Sequence, residues 1–202
     1  MLRHILRELR GHAPFTVFGA ITGVAVMLLC YNMPPRTSYT VFYVLHPLHV
    51  VLSALVTASI YKLHRRGAKL WPMVVVGYLG SIGIATISDS IIPYVGEVLL
   101  PFEKEELHLH LGFIEEWWLV NPAALLGIGI AYLRPKTKFP HGGHVLLSTW
   151  ASSFHIIMVL RGPIDYFLII PLFAFLFLAV WAPCCLSDIV FPILLIPGKE
   201  WK

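Results

Sequence analysis

The feature that most constrains this chain is a series of apolar runs, each long enough to cross a lipid bilayer. A hydrocarbon core of about 30 Å needs roughly 20 helical residues. The sequence contains six such runs, at residues 15–33, 39–61, 70–93, 113–133, 144–160 and 164–181. A shorter apolar piece, 184–196, contains Pro192 and is compatible with a half-helix, a re-entrant segment or a bent continuation of the sixth helix. The sequence therefore predicts an all-α polytopic membrane bundle of six transmembrane helices, with room for a seventh, partial or re-entrant helix at the C-terminal end.

The composition agrees with a membrane protein and leaves no room for a soluble domain. Hydrophobic residues make up 57% of the 202 residues and charged residues 13%, and the mean hydropathy is +0.76, which is far too apolar for a soluble fold. The longest polar connection, 96–112, is too short to build a separate core. We therefore expect residues 1–202 to form one integral membrane domain with the lipid bilayer as its surroundings.

Lys and Arg residues are concentrated in segments that six crossings place on one side of the membrane. These segments lie before the first apolar run, after the second, after the fourth and at the C-terminal end. The positive-inside rule assigns that side, with both termini, to the cytoplasm. The net charge of +4 is explained by this topology and does not indicate a nucleic-acid partner. The three cysteines predict no disulfide framework.

Two of the apolar runs carry a stripe of polar residues on one helical face. The first stripe steps by three, four and four residues, and the second by three, four, four and three. The first consists of His46, His49, Ser53 and Thr57, and the second of His141, His144, Ser148, Ser152 and His155. Because ionisable groups in a bilayer usually face a bundle interior, the two stripes are predicted to face each other.

Carboxylates accompany the histidines, and topology sorts all of these groups into two depths. The outer cluster is predicted to contain His46, His49, Asp89, Glu115, Glu116 and His155. The inner cluster is predicted to contain His141, His144 and Asp188. Pro183 and Pro192 would also allow the last segment to fold back and carry Asp188 to the middle of the membrane.

This set of residues favours a metal site. Imidazoles and carboxylates are the usual ligands of Zn²⁺ and Fe²⁺, and the residues suffice for one to three ions. A bound metal lowers the pKa of water to near neutrality and so supplies hydroxide. We therefore expect a membrane-embedded metal-dependent hydrolase of a lipid-like amide, ester or phosphoester. Asp89 or Glu116 would be its general base, and Ser53 or Ser152 a hydrogen-bond donor at the site.

Ser53 with His49, Asp89, and His141 with His144 form a pattern that resembles the CREST superfamily of alkaline ceramidases and adiponectin-receptor-like proteins. The resemblance implies a seven-helix bundle that holds a zinc ion and hydrolyses lipid amides. This sequence departs from the family in three respects. His49 precedes Ser53, only two residues separate the late histidine pair, and that pair is on the fifth helix.

Three other functions remain open at this stage. A transition-metal or proton transporter would use the two clusters as successive stations. A b-type haem protein would use two transmembrane histidines such as His49 and His155 as axial ligands. A structural subunit would use the histidines for packing, with Glu115, Glu116 and Asp188 as favourable charges or caps at helix ends. His108 and His110 are interpreted as interfacial residues, and the sequence carries no signal for oligomeric state.

Overall fold

The computed structural model describes residues 2–65, 69–101, 107–135, 138–160, 162–186 and 190–195, and these residues are helical with no β-strand among their elements. The α-helices in chain order are α1 (Leu2–Cys30), α2 (Pro35–His64), α3 (Leu70–Thr86), α4 (Ile92–Leu99), α5 (Gly112–Glu115), α6 (Trp117–Leu133), α7 (Lys138–Val159), α8 (Ile169–Cys185) and α9 (Phe191–Leu194). A π-helix, Ile87–Ile91, joins α3 to α4, and a 3₁₀ turn, Tyr166–Leu168, precedes α8.

Helix α2 is the centre of the bundle. It packs against α3, α6 and α7, while α1 packs against α7 and α8. Of the most apolar 18-residue window of α2, 67% is buried, compared with 33% for the windows in α1 and α8. The polar stripe on α2 therefore lies in the interior of the protein and not against lipid.

Small residues allow the helices around α2 to approach closely. A Cβ atom at Gly127 of α6 would collide with the backbone oxygen of Val51 and lie 2.8 Å from Cβ of Ala54. Membrane helices often pack closely at glycine, because the hydrophobic effect does not favour helix association within lipid and van der Waals contact must stabilise it. Gly127 therefore fixes the distance between α2 and α6.

The π-helix Ile87–Ile91 interrupts the long helical segment Leu70–Leu99, and it buries Ser88, Asp89 and Ser90. Single π turns inside α-helices are often found at functional sites. The backbone remains helical on both sides of this turn, so the π turn presents polar side chains to the interior without breaking the segment.

Within the described part of the chain, four helices are long and apolar enough to cross a membrane by length and composition: Ala13–Cys30, Pro35–His64, Leu70–Leu99 and Tyr166–Cys184. Helix α6 is apolar but only 17 residues long. Helix α7 has 22 residues and carries the second polar stripe. The prediction of an all-α bundle is thus confirmed, and its long apolar helices are compatible with a membrane, whereas the number of six crossings stays a prediction.

The C-terminal part of the chain folds back on the bundle. The short helix α9 packs against α2 and α3, and Phe191 contacts the buried cluster that includes Tyr61, Met73 and Ile128. The position of the short helix α9 agrees with a partial helix after α8. Asp188, in the connection before α9, lies outside the described residues.

Candidate metal centre

Asp89 and two histidines of α2 form a fully buried ionisable group in the described part of the chain. The Nδ1 atoms of His46 and His49 lie 2.9 Å and 2.6 Å from the same oxygen, Oδ2 of Asp89. The side chains of both histidines are 1% exposed and that of Asp89 is 0% exposed. A ring nitrogen at these distances from a carboxylate carries the proton, so each imidazole donates its Nδ1–H to Asp89.

The other oxygen of Asp89 accepts hydrogen bonds from two serines. The hydroxyls of Ser88 and Ser148 each lie 2.7 Å from Oδ1. Ser152 donates to the backbone oxygen of Ser88 at 3.0 Å, which ties α7 to the π-helix. The carboxylate therefore accepts four hydrogen bonds, and its donors come from α2, the π-helix and α7.

This arrangement suits a metal in two ways. In the first, Asp89 would hold both rings through Nδ1 and the Nε2 atoms would ligate the ion, as in the carboxylate–histidine pairs that orient metal ligands. In the second, His46, His49 and Asp89 ligate one ion directly, since one ligand atom from each lies within 4.8 Å of the others. Gly112 is next to the ring of His46, because a Cβ there would lie 3.0 Å from its Nε2.

His144 of α7 lies beside this group. Its ring is nearly parallel to that of His49, with 5.8 Å between centroids and 10° between planes, and it is fully buried. The prediction that His144 faces a separate inner pocket is therefore wrong. Helix α7 begins at Lys138, six residues or about 9 Å before His144, so His144 lies deeper in the bundle than the apolar run suggested.

His155 and Glu97 form a second buried pair. Nδ1 of His155 lies 2.7 Å from Oε1 of Glu97, and both side chains are 0% exposed. The pair is next to the first group but separated from it by Phe42, whose ring centroid is 5.5 Å from that of His155 and 5.2 Å from that of His46. His155 thus belongs to a neighbouring pair and does not contact Asp89.

The predicted ligands Glu115 and Glu116 lie one layer further from Asp89. Tyr43 donates to Glu115 and Tyr39 donates to Glu116, each at 3.0 Å. Tyr39 precedes His46 by seven residues, or about 10 Å along α2. Glu116 is therefore not positioned as a base beside Asp89.

His108 and His110 join Glu115 at this layer, although the sequence pattern indicates only interfacial residues. Nδ1 of His110 lies 3.0 Å from Oε2 of Glu115, and Nδ1 of His108 lies 4.0 Å from Oε1. In the sequence, the two histidines are two residues apart and are followed by a glutamate a few residues later. This spacing is the feature that could have indicated the group. Burial lowers the pKa of His110 below its ordinary value, although its hydrogen bond to Glu115 opposes this shift.

The remaining predicted residues have different outcomes. Ser53 is 1% exposed and lies one helical turn after His49 on α2. His141 is part of helix α7, but the structure does not describe its side chain. Asp188 lies outside the described residues. Glu97 is a buried residue of the site that the sequence pattern did not predict.

Comparisons with protein-family models, with curated proteins and with solved structures found no match. The resemblance to the CREST superfamily therefore stays a prediction.

Proposed function

We propose that this protein is an integral membrane metalloenzyme that holds Zn²⁺ or Fe²⁺ at His46, His49 and Asp89 and hydrolyses a lipid-like amide, ester or phosphoester. The observation that carries the proposal is the sharing of one Asp89 oxygen by two imidazoles on successive turns of α2. His144, beside His49, is the candidate for a further ligand.

A metal explains this arrangement better than packing does. Burying ionisable groups in a bundle is costly unless each is paired, and a structural contact between α2 and the π-helix needs only one hydrogen bond. Here two rings are held by one carboxylate, and that carboxylate is held by Ser88 and Ser148. Such support fixes ring orientation, which matters when a second nitrogen on each ring must meet an ion.

The hydrolytic part of the proposal depends on the chemistry that a metal would supply. A bound Zn²⁺ would provide hydroxide at neutral pH in a region where bulk water is scarce. In the chain itself, Asp89 would orient the two histidines, and Ser53 would donate a hydrogen bond near them. The adjacency of His49, Asp89 and His144 supports the CREST-like reading, since the matching residues of that family hold its zinc.

The proposal includes six membrane crossings with both termini in the cytoplasm and α9 as a partial seventh helix. Its support is the one-sided distribution of Lys and Arg in the sequence. In this topology His108, His110 and Glu115 belong to the outer side. Cysteine accessibility at the 107–111 loop in intact cells would test the orientation.

The proposal as a whole is tested by elemental mass spectrometry of the detergent-purified protein, carrying a purification tag without histidine. We expect stoichiometric zinc or iron in the wild type and its loss in His46→Ala and Asp89→Asn. Hydrolysis of lipid amides, esters and phosphoesters should be lost in the same variants. Full metal content in both variants would refute the site, and bound metal without any hydrolysis would refute the reaction.

A transition-metal or proton transporter is the second candidate, because His155 with Glu97 and His110 with Glu115 form further ionisable pairs beyond the buried centre. Successive stations of this kind are typical of transport paths. Metal-dependent flux in proteoliposomes would favour transport over hydrolysis. The same purified sample gives an absorption spectrum, in which a Soret band would identify a haem protein instead.

A further inference from the structure

His108, His110 and Glu115 form a group of possible metal ligands that is not part of the proposed centre. These side chains are 65%, 15% and 27% exposed, so the group spans the boundary between surface and interior. The two imidazole rings are 4.6 Å apart between centroids. One ligand atom from each of the three residues lies within 4.8 Å of the others. Two imidazoles and a carboxylate are a donor set typical of Zn²⁺ and of similar divalent ions.

A cavity of about 270 Å³ opens beside this group, and both histidines line it together with Pro35, Tyr39 and Met158. Arg36 also lines the cavity. Among the described residues nearby, Glu115 and Glu116 accept hydrogen bonds from Tyr43 and Tyr39 and provide two carboxylates that oppose the charge of Arg36.

A second observation connects the group with the interior. The ring of His110 meets that of His155 edge to face, with 5.5 Å between centroids. Glu97 binds Nδ1 of His155, whereas the buried Nε2 of His155 has no hydrogen-bond partner among the described residues. An orphaned buried nitrogen is costly, so it indicates a ligand that occupies this space for part of the time.

We propose that His108, His110 and Glu115 form a second binding site for a Zn²⁺-type divalent ion, which captures the ion at the surface and delivers it past His155 to the buried centre. The capture site stands on its own residues. The delivery step rests on the proposed metal centre at His46, His49 and Asp89. His155 is the intermediate station, since its ring lies between those of His110 and Phe42, and Phe42 stacks on His46.

The test uses Zn²⁺ alone with the full chain in lipid nanodiscs. Equilibrium dialysis with elemental analysis gives the number of bound ions, and stopped-flow competition with a chromophoric chelator gives the rate of loading. The variants are the double replacement His108→Ala with His110→Ala, the buried replacement Asp89→Asn, and His64→Ala as a control. His64 is a histidine at the opposite end of α2, where its ring contacts the backbone oxygen of Ile60. The single variant His108→Ala, at the most exposed residue, serves if the double variant does not fold.

We expect the double variant to bind one ion fewer than the wild type, and Asp89→Asn to lose the other ion or to bind it about 10- to 100-fold more weakly. The remaining ion should load more slowly in the double variant, by about tenfold or more, because local capture raises association rates by factors of 10 to 10³. Unchanged stoichiometry in the double variant would overturn the capture site. Reduced stoichiometry with an unchanged loading rate would overturn delivery. If the double variant loses an ion and Asp89→Asn binds its buried ion as tightly as the wild type, the proposed buried centre fails while the capture site stands.

Discussion

Replacement of Asp89 by Asn tests the centre of the proposal with the smallest change in shape. The amide keeps one oxygen, which can still accept from Ser88 and Ser148. Its nitrogen cannot accept the two Nδ1–H donors that now meet Oδ2. Two hydrogen bonds to a charged group are therefore lost, each of about 1.5–3 kcal/mol, so the free energy of unfolding should fall by about 3–6 kcal/mol in the absence of metal.

The effect of this variant on metal affinity also separates the two modes of binding. If Asp89 only orients His46 and His49, we expect affinity to fall about 10- to 100-fold, the usual result of losing an orienting carboxylate. If Asp89 ligates the ion directly, we expect stoichiometric binding to disappear. Chelator competition measures affinity, and thermal unfolding in detergent measures stability.

The matched control for this prediction is Asp165→Asn. Asp165 is an exposed aspartate that accepts a hydrogen bond from the backbone nitrogen of Phe167 at the start of a 3₁₀ turn. Its replacement should leave metal binding unchanged. Equal metal affinity in wild type and Asp89→Asn would refute the reasoning, because no orienting or ligating role could then be assigned to the carboxylate.

Three further predictions follow from the packing around the centre. Gly112→Ala should lower metal affinity with little loss of stability, since its Cβ would lie 3.0 Å from Nε2 of His46. A Cβ at Gly129 meets no atom within 4 Å, so the control Gly129→Ala should leave the metal affinity measured by chelator competition unchanged. Gly127→Val should lower the free energy of unfolding by about 1–3 kcal/mol through overpacking between α2 and α6, and an unfolding temperature equal to that of Gly129→Val would contradict this packing account. Removal of metal with a chelator should lower the unfolding temperature of the wild type, because an ion bound only to the folded state stabilises it; an equal decrease in Asp89→Asn would show that the stabilising ion lies elsewhere.

The apolar helices and the contact between the two polar stripes were predictable from local patterns. Apolar runs of membrane length predict helices directly, because every backbone polar group in lipid must be satisfied within its own segment. His46 and His49 on α2 are three residues apart, and His144 and Ser148 on α7 are four residues apart. This spacing predicts which faces of the two helices meet. The hydrogen bond from Ser148 to Asp89 and the stacking of His144 on His49 agree with that prediction.

Other parts of the site depend on contacts between distant residues. The pairing of His155 with Glu97 joins residues 58 positions apart, and no local period connects them. The apolar run indicates too shallow a depth for His144, because such a run marks the lipid-facing part of a helix and not the residue at which the helix begins. His108 and His110 lie outside any helix, where periodicity carries no information about neighbours.

The sequence by itself determined that the chain forms apolar helices and that two of them carry histidines on one face, because hydrophobicity and helical period are local properties. The tertiary structure alone decided which atoms meet. The π-helix at Ile87–Ile91 places Asp89 against His46 and His49, and its wider turn cannot be distinguished in sequence from an ordinary helical turn. The division into a buried centre, the His155–Glu97 pair and the surface group likewise arises from how α2, the π-helix and α7 pack. Packing is a property of the whole chain, and for that reason it decides the chemistry of the site.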